Sequence, residues 1–295
     1  MIQLPSRPSD PIVIAEIGCT HVGKMDRAKK LIKMAASCGV SIVKLQKRNP
    51  KESVPKEWWD KPHPNQSFAY GKTYLEHRIN IELSIENHAE LQRYCNDLGV
   101  KYGCSVWDMT SLKEIIDLNP SMIKIPSPCN HRYDMIDYLY NNYRGYVHIS
   151  LGMTTQNERD KLIDRVKNKT NKESETRTIL YHCVSGYPVP FNQLYMLEIA
   201  KLYSASNDNR FFHIGFSDHG YGIAMEPAGY VLGARYFERH FIDDRMFPHS
   251  DSAASLEMAG LQKVVRDLCA LQAAYDEKPK DITEIELIQR NKLRS

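Results

Sequence analysis

The chain has 295 residues, of which 42% are hydrophobic, and 39 basic and 36 acidic side chains give a formal net charge of +3. This near balance argues against a nucleic-acid-binding surface, which needs clustered positive charge. No apolar run approaches the roughly 20 residues of a membrane span. The polar segment before residue 11 does not read as a signal peptide, and seven scattered cysteines without a Cys-x-x-Cys pair are expected to be reduced, as in a cytoplasmic protein.

Short apolar runs alternate with amphipathic segments along the chain. The runs predict strands at residues 12–17, 41–45, 100–106, 122–125, 146–151, 178–184, 211–216 and 235–241. The segments between and after them predict helices at residues 25–37, 85–98, 111–118, 133–142, 156–166, 192–203, 223–232 and 255–275. This α/β alternation favours a single closed parallel (β/α)8 TIM barrel over an open sheet, and such barrels use about 250 residues as one domain. We therefore expect residues 1–295 to form one domain.

One connection is unusually long for a barrel. Residues 47–81, after the second predicted strand, contain several prolines and the adjacent tryptophans Trp58 and Trp59. A long loop that carries large aromatic side chains is more often functional than disordered. We interpret it as a lid or partner surface over the C-terminal face of the barrel. The tail from Glu277 is charged, and no second domain is expected there.

The predicted strands end in polar side chains, at the face where barrel enzymes carry their active sites. His219 and His240 follow neighbouring strands, so their two neutral imidazoles could share one divalent cation. The other polar side chains in or just after the predicted strands include Glu16, Lys44, Ser105, Lys124, Ser127, Ser150, Ser217 and Glu238. This end of the barrel is therefore the candidate site.

Two lysines lie inside otherwise apolar runs, where an unpaired ammonium group would be costly to bury. Lys44 and Lys124 could form, with the serines, a cradle for an anionic ligand, or each could pair with a core carboxylate. Glu16 is open in the same way, as a general base beside a metal or as an ion-pair partner of Lys44. The remaining histidines of interest, His21, His182 and His213, are expected to be structural.

A series of motifs in fixed order resembles the catalytic barrel of the N-acetylneuraminate (sialic acid) synthase family, from about residue 11 to about residue 260. Each motif is weak alone, and together they are specific. They are IAEIG at 14–18, VKLQ at 43–46, KIPS at 124–127, SLGM at 150–153, HCVSGYP at 182–188, GFSDH at 215–219 and ERHF at 238–241.

The resemblance implies an enzyme that condenses phosphoenolpyruvate with an aldose, N-acetylmannosamine or a related sugar, to a sialic-acid-like 3-deoxy-2-keto acid and releases phosphate. By the same resemblance His219 and His240 bind a divalent metal, Mn²⁺ with Mg²⁺ or Co²⁺ as alternatives, and Glu16 acts on the attacking water. The residues that would hold phosphoenolpyruvate are Lys44, Ser105, Lys124, Ser127, Ser150 and Ser217. Those that would meet the acceptor are Tyr187, Glu238 and Asp251.

The sequence also departs from the family pattern. Thr20 and Val22 flank His21 in place of the usual asparagine and acidic or amide residue, Ser185 replaces an asparagine, and His249-Ser250 replaces a Gly-Pro. The antifreeze-like domain that follows the barrel in well-known members, and contributes to acceptor binding, is not expected after residue 295. Either the long loop provides the missing cover, or the acceptor is a different aldose, and we favour the second explanation.

Two other functions fit the same residues. A metal-dependent barrel aldolase would use the histidines in the same way and hold a sugar phosphate in the lysine and serine cradle. A noncatalytic barrel would bind an acidic metabolite and signal through the long loop. In every case the expected partners are small molecules, with neither nucleic acid nor membrane involved, and a homodimer is compatible with the sequence.

Overall fold

The computed structural model describes residues 10–170 and 176–294. The segment for which no signal peptide is expected lies largely in residues 1–9, outside the described residues. Eight parallel strands pair in chain order and close into a barrel, β8 against β1. They are β1 (Ile12–Gly18), β2 (Ile42–Lys47), β3 (Lys101–Val106), β4 (Met122–Ile125), β5 (Tyr146–Ser150), β6 (Thr178–Cys183), β7 (His213–Asp218) and β8 (Tyr236–His240). The predicted (β/α)8 TIM barrel is confirmed.

Helices follow the strands and surround the barrel. They are α1 (Met25–Ser37), α2 (Pro50–Ser53), α3 (Tyr74–Ile81), α4 (Ile85–Asp97), α5 (Met109–Leu118), α6 (Tyr133–Asn142), α7 (Gln156–Thr170), α8 (Leu197–Ser206), α9 (Met225–Val231), α10 (Met258–Ala274) and α11 (Glu284–Leu293). Among the residues described, none of these helices has the length and apolar character needed to cross a membrane.

Three helices were not predicted, and α8 begins later than expected. Both α3 and α11 start with a capping box, in which Thr73 and Thr283 each exchange hydrogen bonds with a glutamate three residues on. That Thr-x-x-Glu spacing is a helix-start signal that the apolar periodicity of these short polar segments does not reveal. For α8, a 3-10 turn at Phe191–Gln193 and a left-handed Tyr195 with φ of 48° precede the helix, so it starts at Leu197.

The interior of the barrel changes from apolar to charged along its axis. At the N-terminal end, Ile14, Ile42, Met122 and Tyr181 pack together inside the strands. Side chains two residues apart on a strand face the same side. The residues two positions further along β1, β2 and β4 are therefore Glu16, Lys44 and Lys124, which are all buried inside the barrel. The strand period thus places the charged groups in one layer near the C-terminal mouth.

The long connection after β2 packs on the same end of the barrel. Ile81 of α3 contacts Cys19 and Val22 of the loop after β1, and Tyr70 hydrogen-bonds through its hydroxyl to the carbonyl of Pro248 at 3.0 Å. The connection therefore borders the C-terminal face, as expected of a lid or partner surface. No described residue from 48 to 84 lines the central cavity.

Candidate active site

A cavity of about 150 Å³ opens at the C-terminal mouth of the barrel. Every predicted site residue except Asp251 lines it. A cavity of about this volume can hold a ligand the size of benzene. The strand ends therefore bring the predicted residues together around a space suited to a small molecule.

The two interior lysines are each paired with a carboxylate. Lys124 Nζ lies 2.6 Å from Glu238 Oε1, and Lys44 forms an ion pair with Glu16 while its Nζ donates to Ser105 Oγ at 2.7 Å. Burial alone would lower the pKa of Lys44, but Glu16 and Glu238 outweigh burial and raise it. Each lysine is therefore paired with a core carboxylate in this structure, and Lys44 keeps its charge.

Glu16 and Glu238 differ in their pKa although both are buried. Burial raises the pKa of Glu16 to about 7, against the opposing effect of Lys44. Glu238 is buried too, but Lys124 and Lys44 together hold its pKa well below the usual range. Gln46 Nε2 donates to Glu16 Oε1 at 2.9 Å, which orients that carboxylate toward the cavity layer. Glu16 can therefore gain or lose a proton near neutral pH, whereas Glu238 stays ionised.

Serine hydroxyls also line the cavity. Ser127 Oγ and Ser150 Oγ are 2.8 Å apart, and Ser217 Oγ donates to Glu238 Oε1 at 3.2 Å. Gly152 makes this crowding possible, because a Cβ there would lie 2.5 Å from Ser127 Oγ and 2.5 Å from Ser185 Oγ. Hydroxyls that can turn between partners are suited to directional hydrogen bonding of a phosphate or carboxylate.

The two predicted metal ligands are neighbours at the mouth. The ring centroids of His219 and His240 are 5.4 Å apart. His219 Nδ1 lies 3.0 Å from the carbonyl oxygen of Val184. A carbonyl only accepts, so Nδ1 carries the hydrogen and Nε2 offers its lone pair. Burial lowers the pKa of His240 to about 3, and its buried Nδ1 has no hydrogen-bond partner. Burial alone would lower the pKa of His219, but Cys183 and the Val184 carbonyl outweigh burial and raise it. The unsatisfied nitrogen of His240 and the Nε2 of deprotonated His219 form a donor set that fits a divalent cation.

The predicted acceptor residues occupy three different depths. Glu238 lies within the charged layer, as described above. Tyr187 is 48% exposed at the rim and its ring centroid is 4.2 Å from that of His219. Asp251, in the loop after β8, lies behind His240, with Oδ2 3.9 Å from His240 Nδ1 and 3.7 Å from His249 Nδ1. Asp251 therefore adjoins the histidine pair without lining the cavity.

Seven cavity residues were not among the predicted site residues: Gln46, Trp107, Pro126, Pro128, Met153, Cys183 and Ser185. Gln46 and Trp107 lie at or just after the ends of predicted strands, so their position along the chain could have identified them as site residues. Cys183 lies with its Sγ 4.0 Å from His219 Nδ1. Ser185, one of the departures from the family pattern, has a buried hydroxyl without a hydrogen-bond partner, which a bound ligand could satisfy.

The histidines expected to be structural lie outside the cavity lining. His182 Nε2 is 2.7 Å from the carbonyl of Leu194, and its ring stacks on Phe216. His21 is buried and accepts a hydrogen bond from the Gly23 amide through Nδ1. His213, on β7, is only partly buried. None of the three lines the central cavity.

The fold and the position of the cavity define a (β/α)8 barrel of the enzyme type, because such enzymes bind substrates at the C-terminal ends of their strands. The sequence model of the NeuB family matches residues 31–280. The chain therefore belongs to the NeuB family. This confirms the resemblance drawn from the strand-end motifs.

Relatives and solved structures agree with this family. The chain is 29% identical to N-acetylneuraminate-9-phosphate synthase of Homo sapiens over 281 residues, covering 95% of this chain and 76% of that protein. It is 27% identical to N,N'-diacetyllegionaminic acid synthase of Campylobacter jejuni over 278 residues, covering 93% and 80%. The crystal structure of N-acetylneuraminic acid (sialic acid) synthetase from Leptospira borgpetersenii superposes with a TM-score of 0.78 at 21% identity, covering 100% of this chain and 99% of that one. The last comparison establishes the fold alone.

Proposed function

We propose that this protein is a phosphoenolpyruvate-dependent synthase, which condenses phosphoenolpyruvate with an aldose to a sialic-acid-like 3-deoxy-2-keto acid and releases phosphate. The observation that carries the proposal is the layer of buried Lys44 and Lys124 beside the paired imidazoles of His219 and His240. Relatives that cover most of the chain are named as synthases of N-acetylneuraminate 9-phosphate and diacetyllegionaminic acid. Both names describe sugar acids of the proposed kind.

The lysines and serines bind the phosphate and carboxylate of phosphoenolpyruvate. Lys44 and Lys124 supply the charge, and Ser105, Ser127, Ser150 and Ser217 supply directional donors. Each ammonium group already has a carboxylate partner, so the incoming anion must share it.

His219 and His240 would hold a divalent metal, which we propose to be Mn²⁺. When bound there, the metal acts as a Lewis acid on the carbonyl oxygen of the acceptor aldehyde. The two imidazoles suit this role because His240 is neutral at working pH and the Val184 carbonyl fixes the tautomer of His219. Tyr187 covers them from the rim, where it would contact the sugar chain together with Asp251.

The reaction balances without a redox partner. Carbon 3 of phosphoenolpyruvate forms a bond to the aldehyde carbon, water adds to carbon 2, and the bond from carbon 2 to the phosphate oxygen breaks. Glu16 orients the water and takes its proton, a role for which a pKa near working pH is best suited. Gln46 holds Glu16 in place through its 2.9 Å hydrogen bond. The products are the keto acid and inorganic phosphate.

The acceptor is proposed to be a relative of N-acetylmannosamine. His249 and Ser250 precede Asp251 where the family pattern has Gly-Pro, so the loop that reaches the acceptor is altered. Tyr187 and Glu238 remain in the cavity lining. This combination supports an aldose acceptor while leaving its substituents to experiment.

The proposal is tested by following phosphate release from phosphoenolpyruvate in the presence of Mn²⁺ and a panel of aldoses. We expect phosphate release that requires both the aldose and the metal and that is lost in His219→Ala. The control variant Cys269→Ser, which alters an exposed thiol away from the cavity, should retain it. An aldolase would not consume phosphoenolpyruvate. Tight binding of phosphoenolpyruvate without any turnover across the panel would instead favour the noncatalytic barrel.

A further inference from the structure

A second group of metal-ligating side chains lies beside the active site, between the loops that follow β1 and β8. Cys19 Sγ, a ring nitrogen of His249 and a carboxylate oxygen of Asp251 all lie within 4.8 Å of one another. Cys19 and His249 are each 5% exposed, and the Asp251 side chain is 17% exposed. The group is separate from the lysine and serine layer, and none of its members lines the central cavity.

We propose that Cys19, His249 and Asp251 form a second divalent-cation site, selective for thiophilic ions such as Zn²⁺ or Co²⁺. The three side chains provide one sulfur, one nitrogen and one oxygen ligand. Three protein ligands leave one position of a tetrahedral ion for water. The inference does not rest on the proposed synthase activity.

The spacing of the nitrogen and oxygen ligand atoms agrees with a single ion, and the sulfur lies within 4.8 Å of both residues' ligand atoms. With zinc–ligand distances of about 2.0–2.3 Å, the ligand atoms of a tetrahedral site lie about 3.3–3.8 Å apart. His249 Nδ1 and Asp251 Oδ2 are 3.7 Å apart, within that range. The ion would replace the 3.2 Å hydrogen bond that His249 Nδ1 now accepts from the Asp251 amide. Little movement of either side chain is therefore required.

The charges around the group are balanced for a divalent ion. A thiolate and a carboxylate together neutralise a dication, so the buried complex would carry no net charge. Arg78 is a cation beside the group, and its Nη1 lies 3.8 Å from Cys19 Sγ. Its charge is matched by Glu82, whose Oε1 lies 2.5 Å from Arg78 Nη2. The arginine therefore does not leave an uncompensated positive charge beside the ion.

The backbone already holds the ligands in place. After Gly18, with φ of 60°, the Thr20 hydroxyl donates to the carbonyl of Ile17 at 2.8 Å and fixes the turn that carries Cys19. Ser250 Oγ donates to Asp251 Oδ1 at 3.0 Å and leaves Oδ2 directed to the group. A preorganised site loses little conformational entropy on binding.

The thiolate ligand determines which metals bind, and this preference distinguishes the Cys19 site from the histidine pair. Sulfur ligands favour Zn²⁺ over oxygen-preferring ions such as Mg²⁺ and Mn²⁺. Asp251 Oδ2 is also 3.9 Å from His240 Nδ1, a buried nitrogen without a hydrogen-bond partner. The carboxylate of Asp251 therefore faces both the cysteine site and the proposed catalytic metal, and a cation at the first site would adjoin the second.

The test is titration of the full-length protein with Co²⁺, because cobalt bound to thiolate absorbs in the near ultraviolet and cobalt bound to imidazole alone does not. We expect this absorption in the unmodified protein and its loss in Cys19→Ser. It should persist in Cys269→Ser, in Cys183→Ser and in the double variant His219→Ala/His240→Ala. Circular dichroism of each variant reports whether it is folded.

A second variant keeps the cysteine and guards against misfolding of Cys19→Ser. Asp251→Asn should retain the thiolate absorption and weaken the Co²⁺ affinity at least about tenfold. A tenfold loss of affinity is the lower end of the effect of removing a residue that only supports a metal ligand. Three results would overturn the proposal: folded unmodified protein without thiolate absorption, absorption that survives Cys19→Ser, or absorption lost in Cys183→Ser alone. The last would place the thiolate in the central cavity.

Discussion

Replacing Lys124 by methionine tests whether the charged layer is a set of mutually dependent ion pairs. Methionine keeps most of the side-chain volume and removes the ammonium group that lies 2.6 Å from Glu238 Oε1. Both side chains are almost fully buried, at 4% and 6% side-chain exposure. Removing one partner of a buried pair costs about 3–5 kcal/mol, because it leaves a buried charge unpaired. Lys44 Nζ is 3.7 Å from Glu238 Oε2 and compensates in part, so we expect the lower end, about 3 kcal/mol.

The double variant Lys124→Met/Glu238→Gln separates charge loss from packing loss. It removes both charges, and replacing a whole buried pair by neutral groups is far less costly than breaking it, so we expect a loss of about 1 kcal/mol. Urea unfolding followed by circular dichroism measures both free energies. Lys280→Met, which removes an exposed partner of Glu284, should leave the unfolding free energy nearly unchanged. A loss below about 1 kcal/mol in Lys124→Met, or a double variant equal to the sum of the singles, would refute the reasoning.

Three further predictions concern pH and backbone. Burial lowers the pKa of His88 to about 3, so the stability that neutral His88 contributes is complete above the unfolded pKa of about 6.5 and is lost as pH falls. The unfolding free energy should therefore decline by about 2 kcal/mol between pH 7.5 and 5 because of this residue. Urea unfolding of His88→Leu should show a pH dependence that is smaller by that amount. Gly23 has φ of 73°, and an added Cβ would lie 2.3 Å from the Asn80 carbonyl oxygen, whereas Gly222 has φ of 70° and nothing within 4 Å of an added Cβ. Gly23→Ala should therefore lower the unfolding free energy more than Gly222→Ala. Equal losses in the two variants would contradict the predicted clash. Finally, kcat/KM should fall as pH drops below the Glu16 pKa of about 7. Glu16→Gln should lower the rate by about 10²- to 10⁴-fold. If the pH profile of that variant were unchanged, Glu16 would be excluded as the general base.

The barrel was predictable because its signal repeats. All eight strands lie where the apolar runs placed them, and β4, α1 and α6 have the predicted bounds. Helices α2 and α3 were not predicted because the segment after β2 is rich in proline and lacks apolar residues at helical spacing. Its turns depend on caps and local hydrogen bonds, such as that from Trp59 Nε1 to the Val54 carbonyl. Those contacts form only once the chain is folded.

The position of the site could be predicted, whereas the ion pairs within it could be proposed only as alternatives, such as that between Glu16 and Lys44. Strand ends identified Glu16, Lys44, Lys124 and His240 because parallel strands finish at one face. Which lysine pairs with which carboxylate depends on the register that aligns Glu16 with Lys44, and on the reach of Lys124 across the barrel to Glu238. The Cys19–His249–Asp251 group joins residues more than 200 positions apart, so no local pattern could reveal it. The roles of the site residues, and the single-domain organisation of residues 1–295, stay predictions.

The central claim is formation of a carbon–carbon bond between phosphoenolpyruvate and an aldose. The most direct measurement is the product mass after incubation of the protein with both substrates and Mn²⁺. The account predicts a product whose mass is that of the aldose plus one pyruvate unit, formed in step with inorganic phosphate. Phosphate accompanied by free pyruvate and unchanged aldose would show hydrolysis without condensation and would contradict the account.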